Sequence, residues 1–315
     1  MRVVHRLERV VVTGGAGFIG SHLVDSLLNN RALRSLIVVD NLTRGRMDNL
    51  AHHDGDSRLA FIGGDIRDAP TLARAFDGAT AVFHLAAQST VLGAARDLDY
   101  TFTTNVMGTY NVLKTAAERN VQRVVFSSSR EVYGEPVTLP VDEGHPLLCI
   151  NSYGASKVAG EALCRSFSRE CNVETRILRI ANAYGPRDIG RVIPHWMEQA
   201  RQGKTLLVYG GQQVLDFVWV GDVVAALISA VTAEATLPPI NVASGTGTKI
   251  LDLARRISNL SGGDSDIRVV PRRDIEVTRY VGNTERMTQL LGVLPATDPL
   301  AHLVEMIRPA APAAA

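Results

Sequence analysis

The chain has 315 residues, 33 of them basic and 32 acidic, for a formal net charge of +1; 46% are hydrophobic and 21% charged. That is the balance of an ordinary globular protein, long enough for one large domain or two that share an interface. A charge so close to zero makes no field to recruit nucleic acid or an anionic membrane, so neither is an expected partner and an anionic ligand must be held by local groups.

Met1 to Arg9 carries Arg2, Arg6 and Arg9 but no apolar core of signal-peptide length. No apolar run reaches the ~18 residues that span a bilayer, so the expected location is cytoplasmic. Val10-Val11-Val12 predicts a first buried strand, ending in Thr13-Gly14-Gly15, and Phe18, Ile19, Leu23, Leu27 and Leu28 mark the helix after it. Further strands are predicted at Leu36 to Val39 (closed by Asp40), Leu59 to Ile62, Ala81 to Leu85, Val124 to Ser127 and Glu174 to Ile180, with helical stretches at Pro70 to Phe76 and Asn105 to Arg119. Continuous apolar strands alternating with amphipathic helices predict an α/β fold, a doubly wound parallel sheet covered on both faces.

After Ile180 the punctuation thickens, at Gly185-Pro186, Pro194, Gly203, Gly210-Gly211 and Pro238-Pro239, around helices at His195 to Arg201 and Leu251 to Leu260. The expected division is a dinucleotide-binding part over 1–180, with returns near 217–245, a smaller α+β substrate part over 181–308, and a frayed tail over 309–315. Cys149, Cys164 and Cys171 form no C-x-x-C pair and are expected to be reduced packing residues. His52-His53 offers two imidazoles with no third ligand beside them in sequence, so no metal is expected.

Thr13-Gly14-Gly15-Ala16-Gly17-Phe18-Ile19-Gly20 joins the first strand to the first helix. In that context glycines let a pyrophosphate approach the backbone, and the helix offers free N–H groups to it. Asp40, ending the second strand, is placed to accept both adenosine ribose hydroxyls and repel a 2′-phosphate, which predicts NAD. Arg44 and Arg46 follow closely and would instead serve NADP. Asp65-Ile66 sits where it meets the adenine or is an ordinary loop acid. Tyr153 and Lys157, four residues apart, share one helical face. An unperturbed phenol titrates near ~10 and is a poor base at neutrality, but a neighbouring ammonium and a cationic nicotinamide favour the phenolate. Ser127-Ser128-Ser129 supplies hydroxyls for the reacting oxygen.

Taken together these segments resemble the extended short-chain dehydrogenase/reductases, the NAD-dependent epimerase/dehydratase family. The resemblance runs through Gly14–Gly20, Asp40, Gly64-Asp65-Ile66, His84-Leu85-Ala86-Ala87, Asn105 to Thr109, Ser127 to Gly134, Tyr153 to Lys157 and Arg179 to Arg187. It implies a Rossmann-type fold and NAD held by Gly14, Gly17, Phe18, Ile19, Gly20, Asp40, Asn41, Asp65, Ile66, Leu85, Ala86 and Ala87. It makes Ser129, Tyr153 and Lys157 the catalytic set, with Lys157 also on the nicotinamide ribose and Asn105 bracing the active-site helix. Ser89, Ser129, Arg130, Asn182, Arg187, Arg191, Val192, Arg273 and Glu276 are the implied substrate contacts, for a nucleotide sugar with UDP favoured over dTDP. It also implies a homodimer through a four-helix bundle, built here from Val91 to Lys114 and Ser152 to Arg169.

Two departures bear on the reaction. Leu215-Asp216-Phe217 stands where the family often has Arg-Asp-Phe, so a diphosphate arginine is missing and Arg191 or Arg272 is its expected replacement. Ser129-Arg130-Glu131 stands where sugar 4,6-dehydratases carry Asp then Glu, and arginine gives up no proton. Uronate decarboxylases also carry a Glu at that place, and simple 4-epimerases usually do not. The leading reading is therefore a 4-epimerase of a UDP-hexose or UDP-hexuronic acid. The alternative is a dehydratase or decarboxylase with Glu131 as base, and a catalytically idle NAD-binding regulator is a third.

Overall fold

The structure, a computed structural model, describes residues 7–263 and 265–307. The readings made for Met1 to Arg6 and for the tail at 309–315 lie outside the described residues.

The elements run β1 (Arg9–Thr13), α1 (Phe18–Leu28), β2 (Ser35–Asp40), β3 (Leu59–Gly63), α2 (Ala69–Ala75), β4 (Ala81–His84), α3 (Val91–Arg96), α4 (Leu98–Phe102), α5 (Thr109–Glu118), β5 (Arg123–Ser129), α6 (Ser152–Glu170) and β6 (Glu174–Ile180). They continue with β7 (Asn182–Tyr184), α7 (Val192–Arg201), β8 (Leu206–Tyr209), β9 (Val214–Trp219), α8 (Val220–Thr232), β10 (Ile240–Val242), β11 (Gly247–Lys249), α9 (Ile250–Leu260), β12 (Ile267–Val270), α10 (Glu285–Leu291) and α11 (Leu303–Ile307).

Seven strands form one parallel sheet in the order β10-β6-β5-β4-β1-β2-β3. Alternate residues of each inner strand feed opposite layers: Val10, Val12, Leu36 and Val38 join one core, Val11, Ile37 and Val39 the other. This explains why the strands read as continuous apolar runs. The chain leaves β1 in one direction across the sheet and β4 in the other, so the crevice between their carboxyl ends is the topological switch point where such sheets bind ligands.

A third core, with Trp196, Met197, Leu206, Phe217, Leu253 and Ile257, lies in the later part. It sits around a three-stranded sheet β11-β9-β7 and the pair β12-β8. Between these pieces α8 packs on α1, β5 and β6, and β10 joins the large sheet beside β6.

One expectation changes. Val91 to Lys114 is not one helix but α3, α4, a π-helical turn at Thr103–Gly108 and α5. Asp97 leaves helical geometry at φ −139°, and its carboxylate caps α4 by accepting the Tyr100 N–H at 2.8 Å. Of the three cysteines only Cys164 is a buried packing residue; Cys149 is half-buried and Cys171 exposed. No described helix is long and apolar enough to cross a membrane.

Candidate active site

The turn after β1 approaches the rest of the site very closely. Gly14 adopts φ +77°, and a Cβ on it would lie 2.7 Å from the Ala86 nitrogen; one on Gly20 would lie 2.1 Å from the Gly14 carbonyl oxygen. A side chain at either would collide with the backbone, so glycine is what lets the turn pack against α1 and the loop after β4 in the shape that presents its N–H groups to a pyrophosphate. Asp40 is buried, and its two carboxylate oxygens accept the N–H groups of Ala16 at 3.1 Å and Leu42 at 2.8 Å. Burial pushes its carboxyl above the usual range, against those two bonds. Arg44, a candidate for NADP, donates to the Ile189 carbonyl at 2.9 Å. Asn41 donates to Asp65 at 2.8 Å, and Asp65 is also paired with Arg67 at 2.9 Å. Ile66 is buried, while Leu85, Ala86 and Ala87 are half-buried along the loop after β4. These residues fit NAD. With the Asp40 carboxylate closing β2, Asp40→Ala should narrow the preference for NAD over NADP; calorimetric dissociation constants for both cofactors measure it, and an unchanged ratio would contradict the assignment.

Beyond the carboxyl end of β5, Ser129 accepts the Glu131 N–H at 3.2 Å, and its hydroxyl is close enough to the Tyr153 phenol to favour the phenolate. Tyr153 and Lys157 lie one turn apart on α6, as their spacing predicted. Lys157 is buried, and its ammonium donates to the Ser127 carbonyl at 2.8 Å and lies 5.8 Å from the Tyr153 ring centroid. Burial pulls that ammonium down to about 8. Burial likewise pushes the Tyr153 phenol above its usual range, opposed by the Arg191 charge, the Ser129 hydroxyl and the Arg130 charge, and reinforced by the Glu131 charge. The protein charges that favour the phenolate are thus Arg191 and Arg130, two arginines the sequence had offered only to substrate.

Asn105, in the π-turn, accepts the Gln88 N–H at 2.7 Å and donates to the Gln88 carbonyl at 3.0 Å and to Ser156 at 2.9 Å. One amide thereby ties the loop bearing Ala86, Ala87 and Ser89 to α6. His84 is fully buried between Thr13 at 2.8 Å and Thr109 at 3.0 Å, with its imidazole pushed down to about 3 by burial and the Lys157 charge. It is a neutral packing group.

Arg130 and Glu131 form a buried ion pair of 2.7 Å. The other Glu131 oxygen accepts the Asn151 amide at 2.8 Å, so both carboxylate oxygens are engaged. Arg130 also donates to Asn182 at 3.3 Å, and Asn182 donates to the Asp216 carbonyl at 2.8 Å. One guanidinium nitrogen of Arg130, Nη1, is buried with no protein acceptor.

The remaining predicted contacts scatter. Arg191, at the start of α7 beside Val192, pairs with Asp188 at 3.1 Å, and its guanidinium lies 5.5 Å from the Phe18 ring centroid. It therefore links the start of α1 to the segment that leads into α7. Arg187 instead pairs with Asp25 on α1 at 2.8 Å. Arg273 stacks 3.8 Å from the Tyr209 ring centroid and pairs with Glu276 at 3.2 Å.

Sequence reasoning missed Asn151, which caps α6 by accepting the Gly154 N–H at 2.8 Å while holding Glu131. An Asn just before a helix is a readable cap signal; its second bond is not. It also missed Glu161, one turn beyond Lys157, which accepts Ser128 at 2.7 Å and Arg179 at 2.9 and 2.8 Å.

A parallel dinucleotide sheet with a Ser-Tyr-Lys set at the carboxyl ends of its strands defines an NAD-dependent enzyme of the short-chain dehydrogenase/reductase type. The profile of the NAD dependent epimerase/dehydratase family matches residues 10–243, and the chain belongs to that family. It is 34% identical over 296 residues to a putative UDP-glucose 4-epimerase of Methanocaldococcus jannaschii, covering 92% of this chain and 94% of that one. It is 33% identical to UDP-glucuronic acid decarboxylase 6 of Arabidopsis thaliana, over 91% of this chain and 84% of that one. The structure is similar, at a TM-score of 0.89 and 33% identity, to a dTDP-glucose 4,6-dehydratase from Streptomyces venezuelae solved with NAD bound, covering 95% and 96% of the two chains. Those three names span an isomerase and two lyases, so similarity does not select the reaction.

Proposed function

We propose that the protein is a nucleotide-sugar C4 epimerase, acting on a UDP-hexose or UDP-hexuronic acid. The observation that carries this reading is the Arg130–Glu131 pair. A dehydratase needs an acid at position 130, and arginine there holds its proton. It also holds the carboxylate that a lyase would use as base, with Asn151 on the other oxygen. What remains free to move a proton is Tyr153. Held by the glycine turn, Asp40 and Lys157, NAD would supply the reversible hydride transfer at C4 that inversion there needs. Tyr153 takes the proton of the C4 hydroxyl and gives it back, Ser129 orients that oxygen, and Lys157 holds the nicotinamide ribose. The spare Nη1 of Arg130 suits a C6 carboxylate, which makes hexuronic acids a favoured subset. A panel of UDP- and dTDP-sugars with product masses tests this: product and substrate should be equal in mass. Glu131→Gln should retain partial activity.

The division of labour we propose follows the sheets: β1 to β6, with α8 and β10, hold NAD, and the smaller sheets with α7 and α9 hold the nucleotide sugar. We further propose a homodimer. Leu98, Phe102, Met107 and Tyr110 are exposed apolar residues along α4, the π-turn and α5, and Tyr110 meets Phe167 of α6 at 5.9 Å. Exposed apolar side chains grouped along these elements fit a protein interface. Light scattering at micromolar concentration should give twice the chain mass, and a monomer would contradict it. Free cysteines and a nucleotide-sugar substrate suit the reducing cytoplasm.

A further inference from the structure

The two histidines that lacked a third ligand in sequence find one in the fold. His52 and His53 occupy a short 3-10 turn (Ala51–His53) in the loop after β2. Both direct their Nε2 atoms at the same oxygen of Asp25 on α1, each at 2.8 Å, and the rings lie 4.0 Å apart. The three ligand atoms all fall within 4.8 Å of one another. The turn is anchored: Leu50 is buried in the core, and Asn49 donates to the Ala16 carbonyl at 2.8 Å. The other Asp25 oxygen is held by Arg187 at 2.8 Å. That arrangement fixes the carboxylate and leaves one oxygen for a monodentate ligand, the usual task of a partner just outside a metal's ligand set.

We propose that Asp25, His52 and His53 bind a borderline divalent transition metal ion, for which Zn2+ is the probe. Two imidazole nitrogens with one carboxylate oxygen are the donor set such ions take. Bonds of about 2.0–2.2 Å set tetrahedral ligand atoms roughly 3.4 Å apart, so the three side chains need open by only about half an ångström. Each neutral imidazole moves its proton to Nδ1 and offers Nε2 to the metal, so no oxidant or other reactant is needed. Water completes the shell, because His52 is half exposed on its outer side. The ion would staple the loop that follows Asp40 to the helix that follows the glycine turn. Its effect is on the stability of the cofactor-binding half and not on the chemical step.

The test uses the full chain, free of any histidine tag and stripped with a chelator. Zinc is titrated calorimetrically into the wild type, His52→Ala and His53→Ala, and X-ray absorption reads the zinc neighbours. One ion per chain, imidazole scattering in the absorption spectrum and a loss of affinity of at least about tenfold in each variant are expected. Both variants should bind NAD as the wild type does, which reports an intact fold. No saturable binding, or binding that survives both substitutions, would overturn the proposal.

Discussion

Tyr153→Phe should lose roughly 10²–10⁴-fold in turnover while still binding NAD and nucleotide sugar. The ring stays, with its place on α6, and only the hydroxyl goes. The neighbouring titratable groups are engaged elsewhere. Lys157 is committed to the Ser127 carbonyl, His84 is sealed between two threonines, and Glu131 is engaged at both oxygens. The measurement is single-turnover kinetics beside calorimetry of both ligands. Near-normal turnover would mean that another residue moves the proton.

Glu161→Gln should cost about 3–5 kcal/mol of stability, the range for removing one partner of a buried ion pair. Glu161 is wholly buried, and the substitution leaves the Arg179 guanidinium, itself buried, without its counter-charge. Arg179 also donates to Tyr133 at 3.0 Å, and Tyr133 to Asn241 at 2.6 Å, so one network ties α6 to β5, β6 and β10. Burial alone would raise the Glu161 carboxyl. Its bonds to Arg179, the Arg179 charge and the Ser128 hydroxyl outweigh that and hold it below the usual range. A carboxylate with a depressed folded pKa stabilises above its unfolded value, near ~4.3, and loses that contribution as pH falls through the folded one. Chemical denaturation of both proteins at pH 7 and in acid checks the prediction. The gap between them should shrink in acid, and equal midpoints at neutral pH would contradict it.

What the sequence made legible was what depends on neighbours along the chain. The glycine turn between β1 and α1, the Asp40 stop and the one-turn spacing of Tyr153 and Lys157 are local patterns with a local physical cause. β6 falls on Glu174 to Ile180 as read. The break at Asp97 was also readable as a capping aspartate; continuous helical periodicity from Val91 concealed it. The π-turn that aims Asn105 at both Gln88 and Ser156 has no local signal, since it answers to two distant partners. The same holds for Arg187, whose family role pointed to substrate while the fold gives it Asp25. It holds most of all for the Arg130–Glu131–Asn151 arrangement. Adjacent residues of opposite charge are common on surfaces, and only burial beside Tyr153 gives this pair chemical meaning.

On the reading proposed above, Glu131 is a held carboxylate and not a base. Turnover of the best substrate in D₂O reads this directly, because a 4-keto group acidifies the C5 hydrogen and any base at work there exchanges it with solvent. The epimerase reading predicts a product inverted at C4, equal in mass to its substrate, with no deuterium at C5 by NMR. Deuterium at C5, or a product lighter by water or carbon dioxide, would contradict it and make Glu131 the base of a lyase.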